Sequence, residues 1–197
     1  MYHLYAPLYE VRKRTMKLPH FKILKAAQVA AYFALKEGGK INVLKLTKLI
    51  YLADRNHLEK YDTPILFDRF VSMPHGPVNS ITYDYLSGCS YSAQWDEFVS
   101  DRSGHDVSAT EGVTFASLDQ LSKAEIKILD AVWEQFKGQT GYQVRDYTHK
   151  FCPEWIDPNG SSNPIQYETI FKWLKKENST MLAEAVEDER QLQRAWL

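Results

Sequence analysis

The chain has 197 residues, of which 44% are hydrophobic and 25% charged, so it can bury one substantial core and is neither disordered nor fibrous in composition. Its formal net charge of −1 disfavours a nucleic acid partner, because such partners are held largely by an excess of basic residues. No apolar run reaches the roughly 18 residues of a membrane span. Two cysteines are too few for a disulfide framework. We therefore expect a cytoplasmic globular protein without a membrane segment.

An N-terminal arm, residues 1–20, precedes the periodic part of the chain. It shows no clean hydrophobic periodicity, so we expect it to be extended or mobile. It carries a basic cluster within residues 12–17, but no apolar stretch follows, and the arm therefore does not match a secretory signal. Met16 stands shortly before the first predicted helix and is a candidate start of translation.

The main domain is predicted to span residues 21–176 and to begin with a helix over residues 22–37. The next helix, over residues 43–60, has the strongest signal, because Asn42 is a good N-cap and neither Gly nor Pro interrupts the pattern. A helix with two apolar faces is usually buried, so we expect it to lie at the centre of the domain. One face holds Leu46, Leu49, Ile50, Ala53 and His57, and the other holds Leu44, Tyr51 and Leu58.

The hydrophobic period changes to that of a strand over residues 65–72. The sequence His75-Gly76-Pro77-Val78 then predicts a turn, with Pro77 in the first turn of a helix over residues 78–86. Residues 95–100 and 105–110 predict a β-hairpin. Together with the first strand, this hairpin would form a small antiparallel sheet.

The remainder of the chain is predicted to be helical. Ser122 and Glu125 form a capping box that begins one helix, and a second helix covers residues 141–150. A loop over residues 151–163 precedes a third helix that starts at Asn163-Pro164. A final amphipathic helix, residues 180–196, lies in a C-terminal segment, residues 177–197. The expected fold is α+β and predominantly α-helical, with a central helix in a helical bundle and a small antiparallel sheet.

Several of these motifs also carry a family resemblance. Residues 44–53 (LKLTKLIYLA) closely resemble the signature helix of the Panacea domain, the SocA-like antitoxin family. Residues 64–68 resemble the family's "PLF" entry to a strand, and Gly76-Pro77-Val78 resembles its "GPV" turn. Residues 121–132 resemble the second family block, and Tyr142, Thr148-His149, Pro153 and Trp155 resemble its "Y…TH…PW" pattern. The chain departs from that pattern at Glu154, which separates Pro153 from Trp155.

The resemblance implies a bacterial or prophage antitoxin of a toxin–antitoxin system, which neutralises a cognate protein toxin by direct contact. The family pairs with many unrelated toxins, so the fold does not name the toxin. It implies that Leu46, Gly76, Pro77 and Val78 are structural motif residues. Two alternatives stay open: a proteolytic adaptor that delivers a toxin to a AAA+ protease, and a nucleic-acid-binding regulator that uses the basic arm. The charge balance disfavours the second.

Candidate partner-binding residues lie in three places. Lys48 and Arg55 share a face of the central helix at sevenfold spacing, with Lys45 and Asp54 nearby. We expect an ordinary solvated face, and the alternative is a surface that pairs with an acidic toxin. Tyr51 of the same helix is a further candidate. His75 lies at the turn and could line a groove or act only structurally. Large aromatic anchors are typical of tight protein interfaces, and the candidates of this kind are Tyr91, Trp95, Phe98 and Trp196. Sequence alone does not separate anchors from core residues. The final helix could equally dock on the core, bind the toxin or pair with a second copy of the chain.

Catalytic and metal chemistry have little support in the sequence. His149 and Cys152 have a spacing that could ligate zinc on a helix, but no second pair at ligand spacing exists. The Cys and His residues form no recognisable nucleophile–base motif, and the chain has no glycine-rich phosphate loop. We therefore expect a binding protein that is not an enzyme and needs neither a metal nor a cofactor.

Overall fold

The computed structural model describes residues 21–192; the predicted N-terminal arm and Trp196 lie outside the described residues. The helices are α1 (Ile23–Lys36), α2 (Val43–Tyr61), α3 (Ser80–Leu86), α4 (Ala93–Asp96), α5 (Lys123–Phe136), α6 (Gly141–Phe151), α7 (Tyr167–Trp173) and α8 (Ser179–Leu192), with a short 3-10 helix Phe115–Ser117 before α5. The strands are β1 (Lys40–Asn42), β2 (Phe70–Met73), β3 (Gly76–Asn79), β4 (Asp106–Ser108) and β5 (Asn163–Ile165). The α+β, predominantly helical fold class is confirmed.

Helix α2 is the centre of the domain, as its two apolar faces predicted. Asn42 caps it by accepting hydrogen bonds from the backbone N–H groups of Leu44 and Lys45. Leu46, Leu49 and Tyr51 have no solvent exposure, so neighbouring elements cover the helix on several sides. Each fully buried side chain of this size stabilises the fold by about 1.5–3 kcal/mol. Burial of α2 is therefore a main source of the stability of the fold.

Three helices surround α2. Helix α1 presents a buried row of small residues that allows close packing, Ala26, Ala27, Ala30, Ala31 and Ala34. Helix α5 begins at the predicted capping box, in which Ser122 and Glu125 each accept a backbone N–H of the other. Helix α6 packs along α2 and buries Val144 and Thr148. The helical bundle around a central helix is thus as predicted.

Two small antiparallel sheets complete the fold, one with strand order β3-β2-β5 and one that pairs β1 with β4. The predicted hairpin of residues 95–100 and 105–110 is wrong. Residues Ala93–Asp96 form a helix, and β4 pairs with β1 instead. Trp95 lies buried against the Tyr85 ring, 5.0 Å between centroids, which favours a helical turn over an extended strand. Val99 and Ala109 keep only an isolated bridge.

The region after α2 also differs from the prediction. The N–H groups of Ile65 and Leu66 donate to the buried Asp54 carboxylate, so the strand starts only at Phe70. The segment beginning at Gly76 is a strand, and α3 starts at Ser80 rather than Val78. The reason is that Asp68 accepts the N–H groups of residues 81 and 82 and so fixes the first turn of the helix there.

The C-terminal part shows one further correction. Asn163-Pro164 does not start a helix; Asn163–Ile165 instead pairs with the free edge of β2, and the helix begins at Tyr167. Helix α8 packs against α7 and buries Ala183 and Val186 in the core. The described part of the final helix therefore docks on its own domain. Among residues 21–192, no helix is both long and apolar enough to cross a membrane.

Candidate functional site

The α2 face that carries Lys48, Tyr51 and Arg55 is not solvated. Lys48 is 1% exposed and Tyr51 is fully buried, whereas Arg55 is half-buried. The expectation of an ordinary solvated face is therefore wrong for Lys48, and also for Lys45 and Asp54, which are buried. The β2–β3 hairpin and helix α6 cover this face, and sequence spacing within α2 could not reveal that cover.

Tyr51 and Arg55 converge on one carboxylate, that of Glu154. The Tyr51 hydroxyl donates to Glu154 Oε1 at 2.5 Å, and Arg55 Nε donates to the same oxygen at 2.6 Å. Burial, together with the neighbouring Glu154 charge, raises the pKa of Tyr51 well above its ordinary value, so the hydroxyl stays protonated. This closed cluster joins α2 to the segment after α6. Glu154 is also the residue that interrupts the family pattern.

Lys48 lies beside the hairpin. Its Nζ donates to the carbonyl oxygen of Pro77 at 2.8 Å. Burial lowers the pKa of Lys48 to about 7, and the positive charge of Arg145 acts in the same direction. Within residues 21–192, the structure gives this ammonium no carboxylate partner. Lys48 is thus a buried amine with capacity for further acceptors.

Gly76 brings the hairpin into contact with α2 and α6. Its φ of +97° is one that residues with a side chain rarely adopt. A Cβ atom there would lie 2.8 Å from Thr148 Oγ1, 3.1 Å from Lys48 Nζ and 3.2 Å from His149 Nε2. At this position only glycine permits both the backbone conformation and the close approach.

A groove opens next to these residues, between the first half of α2, the β2–β3 hairpin, the loop before β4 and the start of α6. We call it the α2 groove; its volume is about 420 Å³. Its apolar lining comprises Val43, Leu44, Met73, Pro74, Val78, Tyr83 and Tyr142. Its polar lining comprises Asn42, Thr47, Lys48, His75, Arg102 and His105.

The charge of the α2 groove is one-sided. Its lining holds Lys48, Arg102, His75 and His105, and none of the lining residues, all of which the structure describes, is Asp or Glu. Arg102 is held at the rim by a hydrogen bond from Nε to the Gly104 carbonyl at 2.8 Å. Apolar walls with basic and imidazole groups favour an occupant that is apolar and negatively charged.

The predicted aromatic anchors within residues 21–192 differ in their exposure. Tyr91 is exposed, Phe98 is partly buried against the core, and Trp95 is buried and therefore not an exposed anchor. His75 is exposed at the tip of the hairpin, where it does line a groove. The main residue that the sequence analysis missed is Tyr142, which is 62% exposed. Its aromatic character at the start of a helix was visible, but its place at a groove was not.

His149 packs against an aromatic ring, and Cys152 is buried. The His149 ring stacks on Trp155 with centroids 3.9 Å apart. Burial raises the pKa of the Cys152 thiol to about 12, so it stays protonated. Within the described part of the chain, no group of three or more His, Cys, Asp or Glu side chains is placed to hold a metal ion.

A family model described as "Antitoxin SocA-like, Panacea domain" matches residues 46–156, more than half of the chain. The chain belongs to this family. The resemblance predicted from the sequence motifs is thereby confirmed. Neither a curated protein nor a solved structure matches the chain. All lining residues of the α2 groove except Asn42, Val43 and Leu44 fall inside the Panacea match, as do Gly76 and Glu154.

Proposed function

We propose that this chain is the antitoxin of a toxin–antitoxin system and neutralises a protein toxin in the cytoplasm by binding it directly. The observation that carries the proposal is the match of residues 46–156 to the Panacea domain, whose members are described as SocA-like antitoxins. The match covers all lining residues of the groove except Asn42, Val43 and Leu44. A function shared by the family is best sought on that shared surface.

Binding fits Cys152, Tyr51 and Arg55 better than catalysis does. A catalytic nucleophile or base must reach a substrate and be in its reactive protonation state. The buried Cys152 thiol has a pKa of about 12, and Tyr51 and Arg55 are committed to Glu154. These groups hold elements together. We therefore propose that the chain is not an enzyme.

The α2 groove is the surface that we propose for the toxin. Protein interfaces concentrate their binding energy in a few aromatic and arginine side chains near a concave, desolvated centre. The groove offers Tyr142, Tyr83 and Arg102 around a cavity of about 420 Å³. This combination of anchors with a cavity makes it a suitable docking site for part of a protein surface.

The test is co-expression of the full chain with the products of the genes next to its own. Growth rescue, with co-purification of a stable complex, is the expected result. The purified chain alone should also inhibit the purified toxin in its own assay. If no adjacent product is toxic, or the chain neither rescues growth nor binds, the proposal is wrong.

The same strains separate direct inhibition from proteolytic delivery. Rescue should persist in cells that lack each AAA+ protease in turn, because a directly bound toxin needs no degradation. Two results would instead establish the adaptor mechanism. Growth rescue would be lost in cells that lack one protease, and the purified chain would leave the purified toxin active. Toxin levels measured by immunoblot complete the comparison.

A further inference from the structure

Lys48 differs from the other buried lysine of α2. Lys45 lies one turn earlier, and its Nζ contacts Glu37 Oε2 at 2.6 Å and the Lys137 carbonyl at 3.1 Å. It also lies over the Trp133 ring, 5.1 Å from its centroid. Lys48 has one hydrogen-bond acceptor within residues 21–192, the Pro77 carbonyl, and no carboxylate. The charge of Lys45 is therefore neutralised by a carboxylate of the fold, whereas no described residue neutralises that of Lys48.

An unneutralised buried ammonium destabilises a fold, because removal of an ion from water is compensated only by close counter-charges and hydrogen bonds. A leucine or methionine would fill the same position without that penalty. Lys48 also lines the α2 groove, so a group that enters the groove can supply the missing acceptor. The groove is therefore the route by which a counter-charge from outside residues 21–192 can reach Lys48.

The rest of the groove narrows the chemistry of the occupant. Arg102 adds a positive charge at the rim, His75 and His105 add imidazole side chains, and Leu44 and Tyr142 provide apolar contact. The volume of about 420 Å³ is in the usual range for binding sites, and it suits a few side chains of a protein segment rather than a whole helix face.

We propose that an acidic segment of the toxin occupies the α2 groove, with one Asp or Glu carboxylate paired to Lys48 and flanking apolar residues packed against Leu44 and Tyr142. This inference rests on the proposed function and adds the chemistry by which the partner is recognised. The bound carboxylate accepts a hydrogen bond from the Lys48 ammonium, and Arg102 strengthens the local positive potential.

The first experiment measures toxin affinity by isothermal titration calorimetry for wild type, Lys48→Met and Lys45→Met. Loss of one partner of a buried charge pair weakens binding by about 30-fold or more, and we expect this for Lys48→Met. Lys45→Met should change affinity by less than about threefold, because Lys45 does not line the groove. Circular dichroism establishes that both variants are folded.

A second variant, Leu44→Glu, supplies a counter-charge to Lys48 from the chain itself. Leu44→Glu places a carboxylate four residues before Lys48 on the same helix, a spacing at which Glu and Lys pair. We expect this variant to remain folded and to lose toxin binding by at least about tenfold, because the groove then holds its own acid. Ala131→Glu, on an exposed position of α5, is the control with the same net charge and should bind normally.

Replacement of each toxin Asp and Glu by Asn or Gln, in wild type and in Lys48→Met, identifies the carboxylate. One replacement should weaken binding to wild type but have no further effect on Lys48→Met.

If Lys48→Met and Leu44→Glu both bind the toxin within about threefold of wild type, the inference fails while the antitoxin function stands. It also fails if acetate or succinate binds at Lys48 and the affinity for the toxin stays the same in its presence. If wild type itself binds no toxin, the proposed function fails.

Discussion

Two buried ionisable groups of α2 differ in how far the described residues satisfy their hydrogen bonds. The Asp54 carboxylate accepts the N–H groups of Ile65 and Leu66 and one hydrogen bond from the Asn79 side chain, so its hydrogen-bonding capacity is largely satisfied within the domain. Lys48, on the same helix, has a single hydrogen-bond acceptor among residues 21–192, the Pro77 carbonyl. A satisfied buried charge organises the backbone around it, whereas an unsatisfied one beside a groove is available for a partner.

Asp68 is a second buried carboxylate that, like Asp54, organises the backbone. It is fully buried and accepts the N–H groups of Ile81 and Thr82 together with the Thr82 hydroxyl. Asp54 and Asp68 thereby fix the two ends of the segment that leads into the β2–β3 hairpin. Because this segment is fixed, the hairpin is held over Lys48 and shapes the groove.

Asp54→Ala is expected to have the largest effect on stability. It leaves three buried donors without an acceptor and should lower the free energy of unfolding by about 3–5 kcal/mol, measured by urea denaturation. The exposed Asp101→Ala variant should change it by less than about 0.5 kcal/mol. A loss below about 1 kcal/mol for Asp54→Ala would contradict the anchoring role given to this carboxylate.

Gly76→Ala is expected to have the second-largest effect on stability. The new Cβ would lie 2.8 Å from Thr148 Oγ1 at a φ of +97°, so we expect a loss of about 2–4 kcal/mol from steric conflict and backbone strain together. Gly112→Ala is the matched control, since its φ is +84° and no atom lies within 4 Å of the added Cβ. It should lose about 1 kcal/mol from backbone strain alone. Equal losses for the two variants would show that the close approach at the hairpin does not matter.

The third prediction uses pH to test whether Lys48 is unpaired. Its pKa is about 7 in the folded chain and 10.5 ordinarily. Between pH 7 and pH 10.5, Lys48 therefore binds a larger fraction of a proton in the unfolded chain than in the folded chain. Wild type should therefore gain stability as pH rises through this window, and Lys48→Met should lack that gain. The difference in unfolding free energy between the two should change by about 2 kcal/mol between pH 7 and pH 9.

Neighbouring groups do not obscure that measurement. Burial raises the pKa of Cys152 to about 12 and lowers the pKa of His149 below its usual value, so both are neutral in the folded chain across the window. Their titration in the unfolded chain is the same for wild type and Lys48→Met and cancels in the difference between them. Arg145 stays charged throughout. A flat difference between wild type and Lys48→Met from pH 7 to pH 9 would mean that Lys48 finds a counter-charge inside the chain, which would remove the contrast with Asp54.

The same contrast explains what the sequence could predict. The cap at Asn42 and the two apolar faces of α2 are local features, and they predicted the central helix with nearly its observed ends. Lysine and arginine at sevenfold spacing usually mark a solvated face, and here that rule failed because the hairpin and α6 cover Lys48. Partners such as Glu154 for Tyr51 lie about a hundred residues away, and no local pattern encodes such a contact. The family motifs indicated the antitoxin class but not the groove.

The smallest effect on stability, and the sharpest separation of fold from function, is expected at Tyr142. This side chain is 62% exposed on the groove, so Tyr142→Ser should change the free energy of unfolding by no more than about 0.5 kcal/mol. Toxin affinity should nevertheless fall by about tenfold or more, because an aromatic anchor at a groove contributes to binding well beyond its role in the free protein. Ile156→Ser is the control: Ile156 is 71% exposed but does not line the groove, so both stability and affinity should be unchanged. Equal affinities for the two variants would place the toxin on another face, and Lys48 would then be a buried amine whose missing partner is still to be found.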